Sequence, residues 1–378
     1  MLNVLLTSTV AFAITYLAIP AIMRVASEKK LYDLPDARKL HNKPIASLGG
    51  VGIFIGFFLA ILLTSNKGNT DLQFFFAAAL VIFFLGLKDD ILILSPTKKF
   101  LGQMAAAAIL IHLGNIRIES MHGFMGLDKL PEAWSYIVSY TTVIVVVNAY
   151  NLIDGVDGLA GSLGVLTTGI FGTYFLLADL PLFAMISFGL TGSLIAFLCF
   201  NYNPAKIFMG DSGSLLLGLV NSILVIKFIT VADASSASLY LPSAVAIGFS
   251  VLIVPLLDTL RVFSIRIYKG RSPFSPDRNH IHHLLLDRGF SHRYVTISCV
   301  GLNLSFIAMA YFGRSLGPTL LICSMVTVFY SLVAALMLMK KPATTLVIAS
   351  SFQHVPEPTV QPATKVVALK SEAAVAEQ

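Results

Sequence analysis

The stretch LQFFFAAALVIFFLGLKDD (72–90) is apolar from Leu72 to Leu87, Gln73 excepted, and then stops on Lys88, Asp89 and Asp90. Such a run is longer than a strand needs and approaches the roughly 20 residues that carry a helix across a bilayer. A carboxylate at membrane depth is costly unless paired, solvated or bound to a metal. A run that ends on two aspartates therefore marks a membrane rim and a candidate site together.

Working outward, comparable runs lie near 3–23, 48–65, 99–115, 134–152, 159–178, 182–200, 213–230, 241–262, 295–313 and 316–339. With 72–87 they predict an all-α, polytopic integral membrane protein of about eleven transmembrane helices. The 378 residues are 56% hydrophobic and 12% charged, with a mean hydropathy of +0.82, which excludes a soluble globule of this length. Residues 1–340 read as one membrane-embedded domain with loops on its cytoplasmic side. Residues 341–378, rich in Ala, Val, Thr, Ser and Pro without an apolar stripe, read as a disordered cytoplasmic tail.

Lys and Arg accumulate in short cytoplasmic loops. Arg24, Lys29, Lys30, Arg38, Lys39 and Lys43 follow the first run, Lys98 and Lys99 follow the third, and seven basic residues lie from Arg261 to Arg293. In total 21 of the 26 basic residues fall on one side, which predicts an N-terminus outside and a C-terminus in the cytoplasm. The first run has no basic leader and no small-residue cleavage site, so it is expected to be retained. Cys199, Cys299 and Cys323 sit inside apolar runs without metal-ligand spacing and read as core thiols. The net charge of +6 reflects topology and attraction to membrane lipid, and no nucleic acid is expected as a partner.

Five aspartates stand where apolar runs break: Asp89, Asp90, Asp154, Asp157 and Asp211. All fall on the basic side. The Asp89–Asp90 pair precedes SPTKK, where Lys98 and Lys99 could meet phosphate; a solvated helix end explains the pair equally well. In NAYNLIDGVDGLAG (148–161), intervals of three place Asn148, Asn151, Asp154 and Asp157 on one helical face. Their plainer reading is a satisfied structural network. In FMGDSGS (208–214), Asp211 stands between glycines at a helix start, whose free amides and positive dipole end suit a phosphate. Asp211 offers a hard oxygen to a divalent cation such as Mg2+, although a simple cap and turn would look the same. PDRNHIHHLLLDRG (276–289) gathers Arg278, His280, His282 and His283; no cysteine completes a zinc set, which favours hydrogen bonding to sugar or phosphate.

In this order and on one face, the motifs resemble those of the polyprenyl-phosphate N-acetylhexosamine-1-phosphate transferases (glycosyltransferase family 4), on the WecA/TagO-like branch. The likeness runs from KLHNKPIASLGG (39–50) through GLKDD (86–90), NAYNLIDGVDGLAG, FMGDSGS and PLLDTLRV (255–262) to DRNHIHH (277–283), or roughly residues 30 to 295. It implies transfer of N-acetylhexosamine 1-phosphate, with UDP-N-acetylglucosamine the first choice of donor, to undecaprenyl or another polyprenyl phosphate at the cytoplasmic (inner) membrane. UMP is released and lipid-linked envelope glycan synthesis begins. By the same resemblance Asp211, with Asp154, ligates Mg2+, for which Mn2+ could substitute. Asp89 is the base or activator of the lipid phosphate, assisted by Asn148, and Asp90, Asp154 and Asp157 shape the phosphate environment. Phe208 stacks on uracil, the histidine loop with Arg278 reads the sugar, and Asn151, Lys98 and Lys99 complete substrate binding.

Two departures qualify the likeness. Ile45, Ala46, Ser47 and Leu48 stand where relatives often carry an arginine, and HIHH replaces the three consecutive histidines of the phospho-MurNAc-pentapeptide transferases, which lowers the case for that alternative. A cation-coupled transporter is the rival from another class, but such sites lie near the midplane between inverted repeats and no repeat is visible. Because a lipid phosphate needs no strong base near neutral pH, direct attack is favoured over an aspartyl-phosphosugar. The oligomeric state stays open, a homodimer among the options.

Overall fold

The computed structural model describes residues 1–31, 45–65, 71–234, 237–271 and 280–339; Arg278 and the expected tail lie outside them. Seven described helices are long and apolar enough to cross a bilayer. These are α1 (Leu2–Glu28), α5 (Glu132–Ile153), α6 (Leu159–Leu177), α7 (Pro181–Asn201), α8 (Gly210–Ala232), α12 (His292–Phe312) and α13 (Pro318–Leu338). A bent pair, α9 (Ala244–Val251) and α10 (Ile253–Tyr268), brings the number to eight if it counts as one span. The protein is therefore a multi-pass, helical membrane protein. The remaining predicted spans correspond to α2 (Gly49–Thr64), α3 (Asp71–Leu92) and α4 (Pro96–Ala108), the last prolonged by a π-turn, Ile109–Leu113.

Two local features depart from the prediction. A short antiparallel hairpin, β1 (Ser120–Phe124) and β2 (Leu127–Lys129), follows the π-turn and has Gly123 and Gly126 at positive φ in and beside its turn. The span predicted over 241–262 is broken at Leu252, where α9 and α10 meet at 78°. Pro255 cannot donate to the helical ladder, so a break just ahead of it leaves fewer orphan groups. The buried Asn303 of α12 satisfies two groups at the break, accepting from the Val254 amide at 3.2 Å and donating to the Val251 carbonyl at 2.9 Å. Irregular backbone inside a membrane bundle persists where such partners exist.

The core is organised around α8, which is buried without interruption from Ser212 to Ile226 and flanked by α3 and α5. Its first turn is approached at backbone distance. A Cβ on Gly86 of α3 would stand 2.5 Å from the Asp211 carbonyl, so any larger residue would push α3 and α8 apart. That contact brings the end of the 72–90 stretch against FMGDSGS.

Candidate active site

Asp89 ends α3, Lys99 opens α4 and Asp211 opens α8, and the three meet. Lys99 Nζ lies 2.5 Å from Asp89 Oδ2 and 2.7 Å from Asp211 Oδ2, an ammonium held between two carboxylates. The free oxygen of each is also engaged. The Leu94 amide donates to Asp89 Oδ1 at 2.5 Å, and Asn151 Nδ2 donates to Asp211 Oδ1 at 3.0 Å while also reaching Ser214 Oγ at 3.0 Å.

Asp90 has a different task. Its carboxylate accepts the Asp211 and Ser212 amides at 2.7 and 3.0 Å and so caps the N-terminus of α8. This corrects the expectation that those amides await a phosphate: the chain supplies its own anion to the positive end of the helix. Gly210 makes the fit feasible, since φ is +72° and a Cβ there would strike the Ser47 carbonyl and the Asp90 carboxylate.

The expected four-residue polar ladder is also interrupted. Asn148 and Asn151 lie on α5, but Asp154 terminates the helix and the chain turns through Gly155 and Gly158. Asn148 Nδ2 donates to Gln103 Oε1 at 2.8 Å. Asp157 is carried away to order a loop, accepting from Asn203 Nδ2 at 3.0 Å and the Ala205 amide at 3.1 Å, with His292 Nδ1 3.4 Å away. Burial alone would raise the Asp157 carboxyl, but these partners hold it below the usual carboxylate range. Asp154 accepts no hydrogen bond among the described residues. Burial, and then the charges of Asp211, Asp90 and Asp157, push it up to about 8.

Asp89 and Asp211 share one ammonium, and Asp154 lies within reach of the charges of Asp211 and Asp90, which leaves the cluster short of positive charge. Among the described residues no three His, Cys, Asp or Glu side chains already converge as a metal cage. The donor set nevertheless suits a hard cation. Mg2+ takes one or two carboxylates and completes its shell with water and substrate phosphate, and Asp154 and Asp211 offer uncommitted or exchangeable oxygens.

Beside Lys99 opens a cavity of about 220 Å³. Lys99, Gln103, Asn148, Asn151 and Arg266 make its polar lining, and Phe100 and Phe263 are among its apolar walls. Such a space suits an anionic group carried on an apolar tail. Lys98, by contrast, is exposed and has no ion pair among the described residues. Phe208 is half-buried in the segment leading to α8, its amide bonded to the Ala46 carbonyl at 2.8 Å.

The histidine loop is seated on a group outside the candidate set, Asp258 of α10. Asp258 is fully buried and accepts from the Ile281 amide at 2.9 Å and from Arg261 Nη2 at 3.2 Å, with His280 Nδ1 2.9 Å from its other oxygen. From that anchor the short helix α11 (Ile281–Leu286) carries His282 against the aspartate loop, where a Cβ on Gly155 would stand 2.7 Å from His282 Nε2. His283 packs beside it, ring centres 4.3 Å apart. Burial, then the neighbouring His283, pushes His282 down to about 3, so its ring is neutral near pH 7. Neither of its nitrogens has a hydrogen-bond partner among the described residues. The signal for Asp258 was available as a carboxylate inside the apolar PLLDTLRV, with Arg261 one turn on. Gln103 carried no such signal.

The chain is similar to known proteins over most of its length. Residues 72–229 match the model of the family described as "Glycosyl transferase family 4". The chain is 31% identical to the "Probable undecaprenyl-phosphate N-acetylglucosaminyl 1-phosphate transferase" of Bacillus subtilis (strain 168), over 86% of this chain and 90% of that protein. It is 35% identical to the "Decaprenyl-phosphate N-acetylglucosaminephosphotransferase" of Mycobacterium tuberculosis (strain ATCC 25618 / H37Rv), over 77% and 78%. It is 27% identical to the "Undecaprenyl-phosphate alpha-N-acetylglucosaminyl 1-phosphate transferase" of Escherichia coli (strain K12), over 75% and 76%.

Proposed function

We propose, for a chain that belongs to glycosyl transferase family 4, the transfer of N-acetylglucosamine 1-phosphate from UDP-N-acetylglucosamine to a polyprenyl phosphate. The acceptor and the sugar phosphate follow the names of the curated relatives. The observation that carries the reading is the Asp89–Lys99–Asp211 bridge, whose Lys99 lines a cavity with polar and apolar walls. UDP as the carrier is our inference from the resemblance of the motifs to the polyprenyl-phosphate N-acetylhexosamine-1-phosphate transferases.

In the reaction a phosphate oxygen of the lipid attacks the phosphorus bonded to the sugar. The bond to UMP breaks, UMP takes the electron pair, and a lipid-linked pyrophosphoryl sugar remains. Two anions must approach, so their charge has to be offset in the transition state. Lys99 supplies one positive charge between Asp89 and Asp211. Asn148, held by Gln103, and Asn151, held by Asp211 and Ser214, give the cavity a polar wall, and Asp89 orients the lipid phosphate and takes any residual proton. Asp154 and Asp211 would hold Mg2+, which supplies Lewis-acid polarisation and charge neutralisation when bound. His282, neutral and poised over Gly155, is placed to hydrogen-bond the sugar or its phosphate, and Phe208 is read as the uracil platform.

We read the enzyme as an eleven-span protein of the cytoplasmic membrane, its N-terminus outside and the aspartate face in the cytoplasm, where nucleotide sugars are made. Purified protein incubated with Mg2+, polyprenyl phosphate and a panel of UDP-sugars should release UMP and form labelled lipid fastest with UDP-N-acetylglucosamine. Release of UMP with no dependence on polyprenyl phosphate would refute transfer.

A further inference from the structure

At the end of the bundle opposite the aspartates, α8 carries Lys227 within its apolar run. Seventeen residues beyond Gly210, it lies about 26 Å along the helix at 1.5 Å per residue, close to the far edge of a hydrocarbon core about 30 Å thick. The residue borders a cavity of about 240 Å³ where the far ends of α3, the π-turn, α7 and α8 meet. Leu72 and Phe75, Asn115, and Phe183 and Ile186 form part of its lining.

The other basic residues described at this end are accounted for or solvated. Arg117 pairs with Glu119 at 2.9 Å and Glu132 at 3.8 Å, Arg314 donates to the Tyr311 carbonyl at 2.6 Å, and Lys129 is on an exposed strand. Lys227 is half-buried, lies 5.0 Å from the centre of the Phe183 ring, and has no carboxylate or hydrogen-bond partner among the described residues. An ionisable group in a span is expensive and ordinarily faces a partner or a working cavity. A snorkelling lysine would run its stem over the lipid-facing surface; this one borders a cavity inside the bundle.

We propose that this cavity is an anion site that takes a phosphate group, with Lys227 as its cation. The volume accommodates a phosphate with hydration, the ring of Phe183 holds the ammonium from one side, and the exposed Asn115 stands at the cavity with a side-chain amide. Phosphate is the anion that a bilayer presents at this depth, as a lipid headgroup, and inorganic phosphate carries the same chemistry from solution. The site is separate from the aspartate cluster: Asp211 lies about 24 Å back along the same helix.

The test uses the full-length, delipidated protein in detergent. Lys227 is probed by amine acetylation read by peptide mass spectrometry, alone and with dioctanoyl-phosphatidylglycerol or with inorganic phosphate. At least one of these should protect Lys227 about tenfold, the loss of a charge-assisted contact in the reverse sense. Protection by the lipid alone identifies a headgroup site, and protection by both identifies a site for phosphate itself. Native mass spectrometry then compares Lys227→Arg, expected to retain the ligand, with Lys227→Met and Lys227→Gln, expected to lose it about tenfold. If neither ligand protects Lys227, or if a folded neutral variant binds as tightly as the wild type, the proposal is overturned.

Discussion

Replacing Lys99 with Met keeps the unbranched stem, one atom shorter, and deletes the charge between Asp89 and Asp211, so it tests whether that ammonium is part of the reaction. Removing one partner of a buried charged pair costs about 2–5 kcal/mol, but Lys99, Asp89 and Asp211 keep 27%, 11% and 23% of their side-chain surface exposed. Solvent screening therefore argues for the lower end. We take about 2.7 kcal/mol in the barrier, or about 100-fold in kcat/KM. Lys99→Arg should recover part of this, because the charge is restored while the planar fork cannot occupy the single point between the two oxygens. The assay follows labelled N-acetylglucosamine phosphate into the lipid phase at several concentrations of each substrate, with thermal unfolding in detergent as the control for fold. A folded Lys99→Met variant with kcat/KM within threefold of the wild type would remove Lys99 from the mechanism and leave the bridge as a structural ion pair.

Four further outcomes are expected. The Asp154 carboxyl, raised to about 8 from a reference of 3.8, holds more protons folded than unfolded between those values, so its contribution to stability should fall as pH rises from about 4 to 8 and level off above. Mg2+ binding there should release a proton below pH 8, measurable as a buffer-dependent heat that Asp154→Asn abolishes. Asp258→Asn keeps an acceptor for the Ile281 amide but weakens the hold on His280 and Arg261, and should raise KM for the UDP-sugar about tenfold while leaving that for polyprenyl phosphate within twofold; equal changes in both would return the histidine loop to a structural role. Direct attack requires that labelled UMP exchange into the UDP-sugar only when polyprenyl phosphate is present. Robust exchange in a preparation shown lipid-free by mass spectrometry would favour a covalent phosphosugar instead.

What was legible in the chain depended on how local the determining physics is. A membrane helix satisfies its own backbone, so hydropathy alone located α3, α5 to α8, α12 and α13, and residues spaced by three placed Asn148 and Asn151 on one face of α5. The break between α9 and α10 was hidden because the group that permits it, Asn303, lies some fifty residues away on α12. The aspartates divided their labour by the same rule. Asp90 and Asp157 resembled the others in sequence, yet each meets amides that only folding delivers, those at the start of α8 and of Ala205. Asp89 and Asp211 share a lysine, Asp89 beside the Leu94 amide as well, and Asp154 accepts no hydrogen bond among the described residues. A carboxylate bonded by fixed amides is held in place, whereas one facing an exchangeable cation can trade that partner for a substrate or metal. The separation of roles within one acidic cluster thus follows from which donors surround each side chain. In the proposed mechanism Asp90 and Asp157 accordingly build the site, and Asp89, Asp154 and Asp211 work in it.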